Sequence, residues 1–284
     1  MFYSIQDLRK NVVRRMTASH LAGAKLEDAI RMHEQAVRCG WRSTIGYWTA
    51  PSDTPQDVVE KYVSASRVIR EKSLDSYISV KAPAFNYDFG LLMEVLDVAK
   101  ESGHRVHFDA MSPDSVPPTF SLIERALKTH RNLGCTLPAR WGRSTEDTGR
   151  VIEWAIPVRI VKGQWPDPSV PGLDPRAQYL KIIGRLSGKA AHVAVATHDR
   201  AVAREALRVL SETGTPCEME QLSSLPQNCA RLAKGYHIPL RVYVPYGYPS
   251  MPYDIWQVRA RPQIINWVLR DILVGTHRHL HPVR

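Results

Sequence analysis

His192–Glu220, HVAVATHDRAVAREALRVLSETGTPCEME, joins a short aliphatic run, an amphipathic stretch and a second short run. HVAVA, over 192–196, has the branched and small apolar residues of a buried strand. DRAVAREALRVLSETG then starts on an Asp that can cap a helix N-terminus and stops on a Gly that suits a helix C-terminus. CEME, over 217–220, returns to extended chain. The same cadence recurs along the sequence, so the spacing predicts further strands over 43–48, 76–81, 106–109, 134–137, 158–161 and 240–244. Helices are predicted over TPQDVVEKYVSASRVIREK and FGLLMEVLDVAKESG, over 144–154, 175–186 and 226–234, and after Pro252. LEDAIRMHEQAVRCG reads as an extra helix ahead of the first strand. Eight strand–helix units without a composition shift between them predict a closed α/β (β/α)8 barrel. The predicted organisation is an N-terminal helical segment at 1–40, the barrel at 41–275 and a basic tail at 276–284.

Composition limits the functional classes. With 284 residues, 44% of them hydrophobic, the chain can bury a full core. The formal charge of +10 is spread along the chain and does not form a stripe, which disfavours nucleic acid and leaves a solvated basic surface first, and an anionic cofactor or substrate second, as readings of the positive field. Cys39, Cys135, Cys217 and Cys229 show no CxxC or metal-ligand spacing, so no metal site and a reducing, cytoplasmic setting are expected. Neither an export signal nor an 18-residue uncharged apolar run is seen, so no integral membrane segment is expected.

In a barrel of this type the reactive groups stand at the C-terminal ends of the strands. Those positions hold Tyr47, Trp48, Lys81, Asp109, the stretch from Arg159 to Trp165, Thr197, His198 and Tyr243. Each has a structural alternative: Lys81 as a snorkelling side chain, Asp109 as a turn cap, His198 as a neighbour of the next helix start. Their coincidence on one rim favours a site.

The blocks SVKAPAF, VHFDAM, VRIVKGQW, VATHD and LRVYVPYG, in that order at those strand ends, resemble the flavin-dependent proline dehydrogenase family. MTASHLAGAKLEDAIRMHEQAVRCGWRSTIGYW resembles the family's N-terminal part, so the likeness covers most of the chain. It implies a distorted (β/α)8 barrel holding FAD at the strand C-termini. It also implies Lys81 and Asp109 beside the flavin and substrate, and Tyr243 and Tyr253 in the substrate pocket. The cofactor contacts implied are Arg159, Val161, Lys162, Gly163, Gln164, Trp165, Thr197, His198 and Glu220. No GxGxxG turn occurs, so the cofactor is expected to be held in barrel fashion.

The chain departs from the family where an adjacent arginine pair and a glutamate follow Tyr253. Trp256 and Gln257 stand in place of the arginines, and Ala260 in place of the glutamate. Two arginine–carboxylate contacts contribute about 1.5–3 kcal/mol each, so their loss predicts weak binding of free proline. The fourth strand ends in LPAR, which makes Arg140 a candidate for a relocated anion contact or a rim salt bridge. Glu220 stands where a glutamine is usual. The expectation is therefore an FAD-dependent enzyme that oxidises a C–N bond, or a related N-containing bond, of a small amine or amino-acid derivative other than free L-proline, in specialised metabolism. Two alternatives stay open. One is a true proline dehydrogenase with Arg259 or Arg261 turned inward; the other is a barrel without catalysis that serves as a binding subunit. The electron acceptor and oligomeric state are not specified by the sequence.

Overall fold

The computed structural model describes residues 20–249 and Leu280. Eight parallel strands close into a barrel in which each pairs with the next and the last pairs with the first. The strands are β1 (Arg42–Trp48), β2 (Ser76–Val80), β3 (Val106–Phe108), β4 (Leu133–Pro138), β5 (Val158–Val161), β6 (Val193–Ala196), β7 (Cys217–Leu222) and β8 (Leu240–Gly247). All eight predicted strands are present, with no end shifted by more than three residues. Helix α1 (Leu26–Arg38) precedes β1 and packs against β1 and β8. The others are α2 (Pro55–Glu71), α3 (Phe89–Glu101), α4 (Val116–Ala126), α5 (Ser144–Trp154), α6 (Pro175–Leu186), α7 (Arg200–Glu212) and α8 (Ala230–Gly235).

Local chemistry explains the helix starts. Thr54 accepts a hydrogen bond from the Asp57 amide, Asp88 from Leu91, Asp174 from Arg176, and Asp199 from both Ala201 and Val202. Two helices differ from expectation. The chain between β3 and β4 was not predicted helical, yet α4 forms there with Pro117 and Pro118 in its first turn, where a missing N–H costs no helical hydrogen bond. The helix predicted over 226–234 begins only at Ala230. Gln227 and Asn228 spend their side chains on Leu222 O and Gln221, which holds a turn instead. The helix predicted after Pro252, and residues 1–19 of the N-terminal segment, lie outside the described residues.

Two layers result from strand alternation. Ile78, Val80, Val158, Ile160, Val193, Val195, Val242 and Val244 are fully buried in the apolar cluster shared with the helices. The side chains between them in sequence meet inside the barrel and are unusually polar: Tyr77, Ser79, Arg159, Glu218, Glu220, Arg241 and Tyr243. The lower layer is an ion pair in which Arg241 Nε donates to both Glu218 carboxylate oxygens at 3.0 Å, the Glu218 side chain being 1% exposed. Burial pushes the Glu218 carboxyl up, but Arg241, His192 and Arg105 together outweigh this and hold it below the usual range.

Removing one partner of such a pair strands the other charge. Glu218→Ala is expected to lower unfolding stability by about 3–5 kcal/mol in urea titrations, whereas the double change Glu218→Leu with Arg241→Met recovers most of that loss.

Candidate active site

Above this layer one guanidinium organises the C-terminal half of the barrel. Arg159, on β5 and 3% exposed, donates from Nε to Glu220 Oε2 at 2.9 Å and from Nη1 to Asp109 Oδ1 at 2.8 Å. Nη1 also reaches Ser79 Oγ at 3.2 Å, and Nη2 the Tyr77 hydroxyl at 3.4 Å. The planar fork thus bridges β2, β3 and β7 from β5, an arrangement that a lysine could not reproduce.

Asp109, one residue past β3, is the second hub. Its Oδ1 also accepts from Ser79 Oγ at 2.5 Å, and its Oδ2 from the Tyr243 hydroxyl at 2.8 Å. Lys81 Nζ lies 3.5 Å from Oδ2 and donates to the Tyr47 carbonyl at 2.7 Å. The Lys81 amide donates to the Tyr62 hydroxyl, which fixes the chain as it leaves β2. Burial by itself would raise the Asp109 pKa; Lys81, Arg159, Ser79 and Tyr243 outweigh it and hold the carboxyl below its usual range. Burial lowers Lys81, with Asp109 opposing. Burial and then Asp109 push Tyr243 well up, so its phenol stays protonated and donates.

Tyr243 reaches Asp109 only because Gly46 faces it across the β1–β8 seam. A Cβ on Gly46 would lie 2.2 Å from the Tyr243 hydroxyl and 2.7 Å from its ring carbon. The Tyr243 ring in turn lies under Arg159, 5.2 Å from guanidinium carbon to ring centre.

The remaining predicted contacts surround this cluster. Val161 ends β5, and Lys162, Gly163, Gln164 and Trp165 form the loop beyond it. Gly163 has φ +87°, and a Cβ there would come within 2.8 Å of Pro138, so only glycine lets the chain lie this close to β4. Arg140 Nη1 donates to the Gln164 carbonyl at 3.1 Å, and Trp141 Nε1 to the Trp165 carbonyl at 3.1 Å; Arg140 therefore braces the loop after β5. Thr197 and His198 follow β6. His198 Nε2 accepts from the Leu222 amide at 3.0 Å, while Nδ1 faces the Pro226 carbonyl at 3.2 Å and Gln221. Burial lowers its pKa to about 4, so the ring is neutral and ties the loop after β6 to the loop after β7. Tyr253, Trp256, Gln257, Ala260, Arg259 and Arg261 lie outside the described residues.

The cluster includes the strand-end residue Tyr47, whose carbonyl accepts from Lys81, and it also contains residues not singled out from the sequence: Tyr77, Ser79, Tyr62 and Gln221. A signal existed for two of them, since Tyr77, Ser79 and Lys81 alternate along SYISVK and so share one strand face. Among the described residues no group of His, Cys, Asp and Glu could hold a metal ion. No helix among them is long and apolar enough to cross a membrane.

The residues present fit a flavin. Glu220 Oε1 is buried with no hydrogen-bond donor among the described residues, an acceptor suited to a ring N–H. Lys162 is exposed at the rim beside the close-packed Gly163 backbone, as an anionic pyrophosphate requires.

No family model matches the chain. It is 28% identical over 273 residues to proline dehydrogenase 1 of Bacillus subtilis subsp. natto, covering 89% of each chain, and equally so to proline dehydrogenase 1 of Bacillus subtilis strain 168. Its fold is similar to proline utilization A from Bdellovibrio bacteriovorus, solved after inactivation by N-propargylglycine, with a TM-score of 0.74 and 17% identity. That match covers 94% of this chain and 34% of the other. Proline utilization A from Corynebacterium freiburgense gives a TM-score of 0.67 at 14% identity, over all of this chain and 37% of that one. The chain thus spans about a third of the length of these solved structures. At these identities the structures establish the (β/α)8 fold.

The Asp109 network makes a pH prediction. Its folded pKa lies below the unfolded value of about 3.9, so the stabilisation is fully present above that value and is lost as pH falls through the folded pKa. Wild type is expected to exceed Asp109→Asn by a constant margin of about 2–5 kcal/mol between roughly pH 5 and 8. Urea unfolding should show the margin shrinking steadily below about pH 4.

Proposed function

We propose that this protein is an FAD-dependent oxidoreductase that dehydrogenates the C–N bond of a small amine of the proline type. One observation carries this: a single buried cation, Arg159, is shared by Asp109 and Glu220 at the C-terminal mouth of the barrel, with Lys81 and Tyr243 on the same carboxylate. The 28% identity to the Bacillus subtilis proline dehydrogenases over 89% of each chain supports it.

Bound FAD would supply the two-electron acceptor for the hydride that leaves the carbon next to nitrogen, so that a C=N bond forms. The chain's own residues do the rest. Arg159, Glu220, Thr197 and His198 would surround the ring system, and Lys162 with the backbone at Gly163 would meet the pyrophosphate. Arg159 places a fixed positive charge where negative charge accumulates on reduction and needs no rearrangement to do so. Asp109, held ionised, orients a substrate nitrogen that carries a positive charge, and the protonated Tyr243 hydroxyl holds the other carboxylate oxygen in place. Lys81, whose burial eases loss of its own proton, would accept the proton that the substrate nitrogen sheds after first giving up that proton to become a neutral amine. An electron acceptor must then reoxidise the cofactor. The four cysteines are free, in keeping with a reducing compartment such as the cytoplasm.

A second reading concerns the substrate alone. Trp256 and Gln257 stand where the resemblance places the two carboxylate-binding arginines, which favours a substrate without the free carboxylate of L-proline. Such a substrate belongs to specialised amine metabolism.

The test is anaerobic absorption spectroscopy of the FAD-loaded protein with L-proline, L-prolinamide and pyrrolidine in parallel. Bleaching of the flavin band by at least one of them is expected, and bleaching by none would contradict the enzyme reading in favour of a silent barrel. On the second reading L-prolinamide reduces the protein at least as fast as L-proline; a preference of about a hundredfold or more for L-proline would sink that reading and leave the first standing.

A further inference from the structure

The opposite, N-terminal face of the barrel carries a cleft that the chemistry at the mouth does not use. It has a volume of about 600 Å³ and lies between the loops that lead into β2, β3 and β4. Arg105 stands on its wall with the guanidinium carbon 4.1 Å from the centre of the Tyr77 ring. Arg241 approaches the same ring at 4.6 Å, so the phenol is flanked by two cations.

The charges around the cleft do not cancel. Arg241 is paired with Glu218, Arg70 with Glu101, and Arg42 with Asp75, while Asp75 is also 3.7 Å from Arg241. Of these charges Arg70, Arg105 and Arg241 line the cleft against the single carboxylate of Asp75, and Arg105, whose charge also acts on Glu218, has no hydrogen bond and no ion pair among the described residues. The contact with the Tyr77 ring uses none of the guanidinium N–H donors, which suit a two-oxygen anion. Asn132 and Ser73, exposed on the rim, add an amide and a hydroxyl within the same cleft. A space of this size falls within the range of small-molecule sites.

We propose that this cleft binds a small molecule bearing an oxyanion, a carboxylate or a phosphate, through the guanidinium of Arg105. The site is separate from the mouth, where Lys162 stands.

Isothermal titration calorimetry of the full chain at constant ionic strength tests this, with inorganic phosphate in one arm and succinate in the other. Saturable one-site binding of at least one probe is expected, and the tighter arm identifies the headgroup. Arg105→Gln is expected to weaken that binding tenfold or more. Asn132→Asp, an exposed change that puts a like charge on the rim without disturbing the Tyr77 stack, should do the same. Lys162→Gln, at the other end of the barrel, should leave the affinity within twofold. The proposal is overturned if neither probe shows saturable binding, if the Arg105 and Asn132 variants both bind like wild type, or if the loss appears in Lys162→Gln instead.

Discussion

The bidentate demand of Arg159 is the constraint on which the barrel interior depends. A guanidinium 3% exposed is tolerable only if its donors are matched, and here Glu220 and Asp109 take two edges while Ser79 and Tyr77 receive the rest. Once Arg159 is fixed, Asp109 is fixed, and with it Lys81 and Tyr243. Five strands, β2, β3, β5, β7 and β8, are thereby tied together by side chains as well as by the backbone ladder. The cost is an interior that packs less apolar surface than a barrel filled with Val, Ile and Leu, and the outer layer against the helices supplies the apolar burial instead.

Tyr77 joins the two ends of that interior. Its hydroxyl reaches Arg159 and Glu220, at 3.4 Å each, while its ring lies against Arg241 and Arg105. The lower ion pair and the upper cluster are therefore neighbours through one rigid side chain. Gly46 plays a complementary part at the top, since the absence of its Cβ is what lets Tyr243 cross to Asp109.

Much of this was legible in the sequence. Strand positions followed from short apolar runs, and the rim residues Lys81, Asp109, Arg159, Glu220 and Tyr243 followed from strand ends together with the family resemblance; the structure brings all five together. Helix α4 was hidden because two prolines read as breakers unless they are known to occupy a first turn. Ser79 and Tyr77 were hidden because their role depends on facing Arg159 across the barrel, a relation set by strand register and not by spacing along the chain. The ring contacts of His198 with Leu222 and Pro226 were hidden as well. Those partners lie 24 and 28 residues away and carry no local pattern.

The central claim is that the mouth around Arg159 is a flavin site, and the most direct measurement is an FAD titration of the purified, flavin-free full chain, followed by visible absorption after desalting. The account predicts saturation at one FAD per chain, with a retained flavin band perturbed from that of the free cofactor. Failure to retain any FAD in a chain shown by circular dichroism to be folded would contradict it.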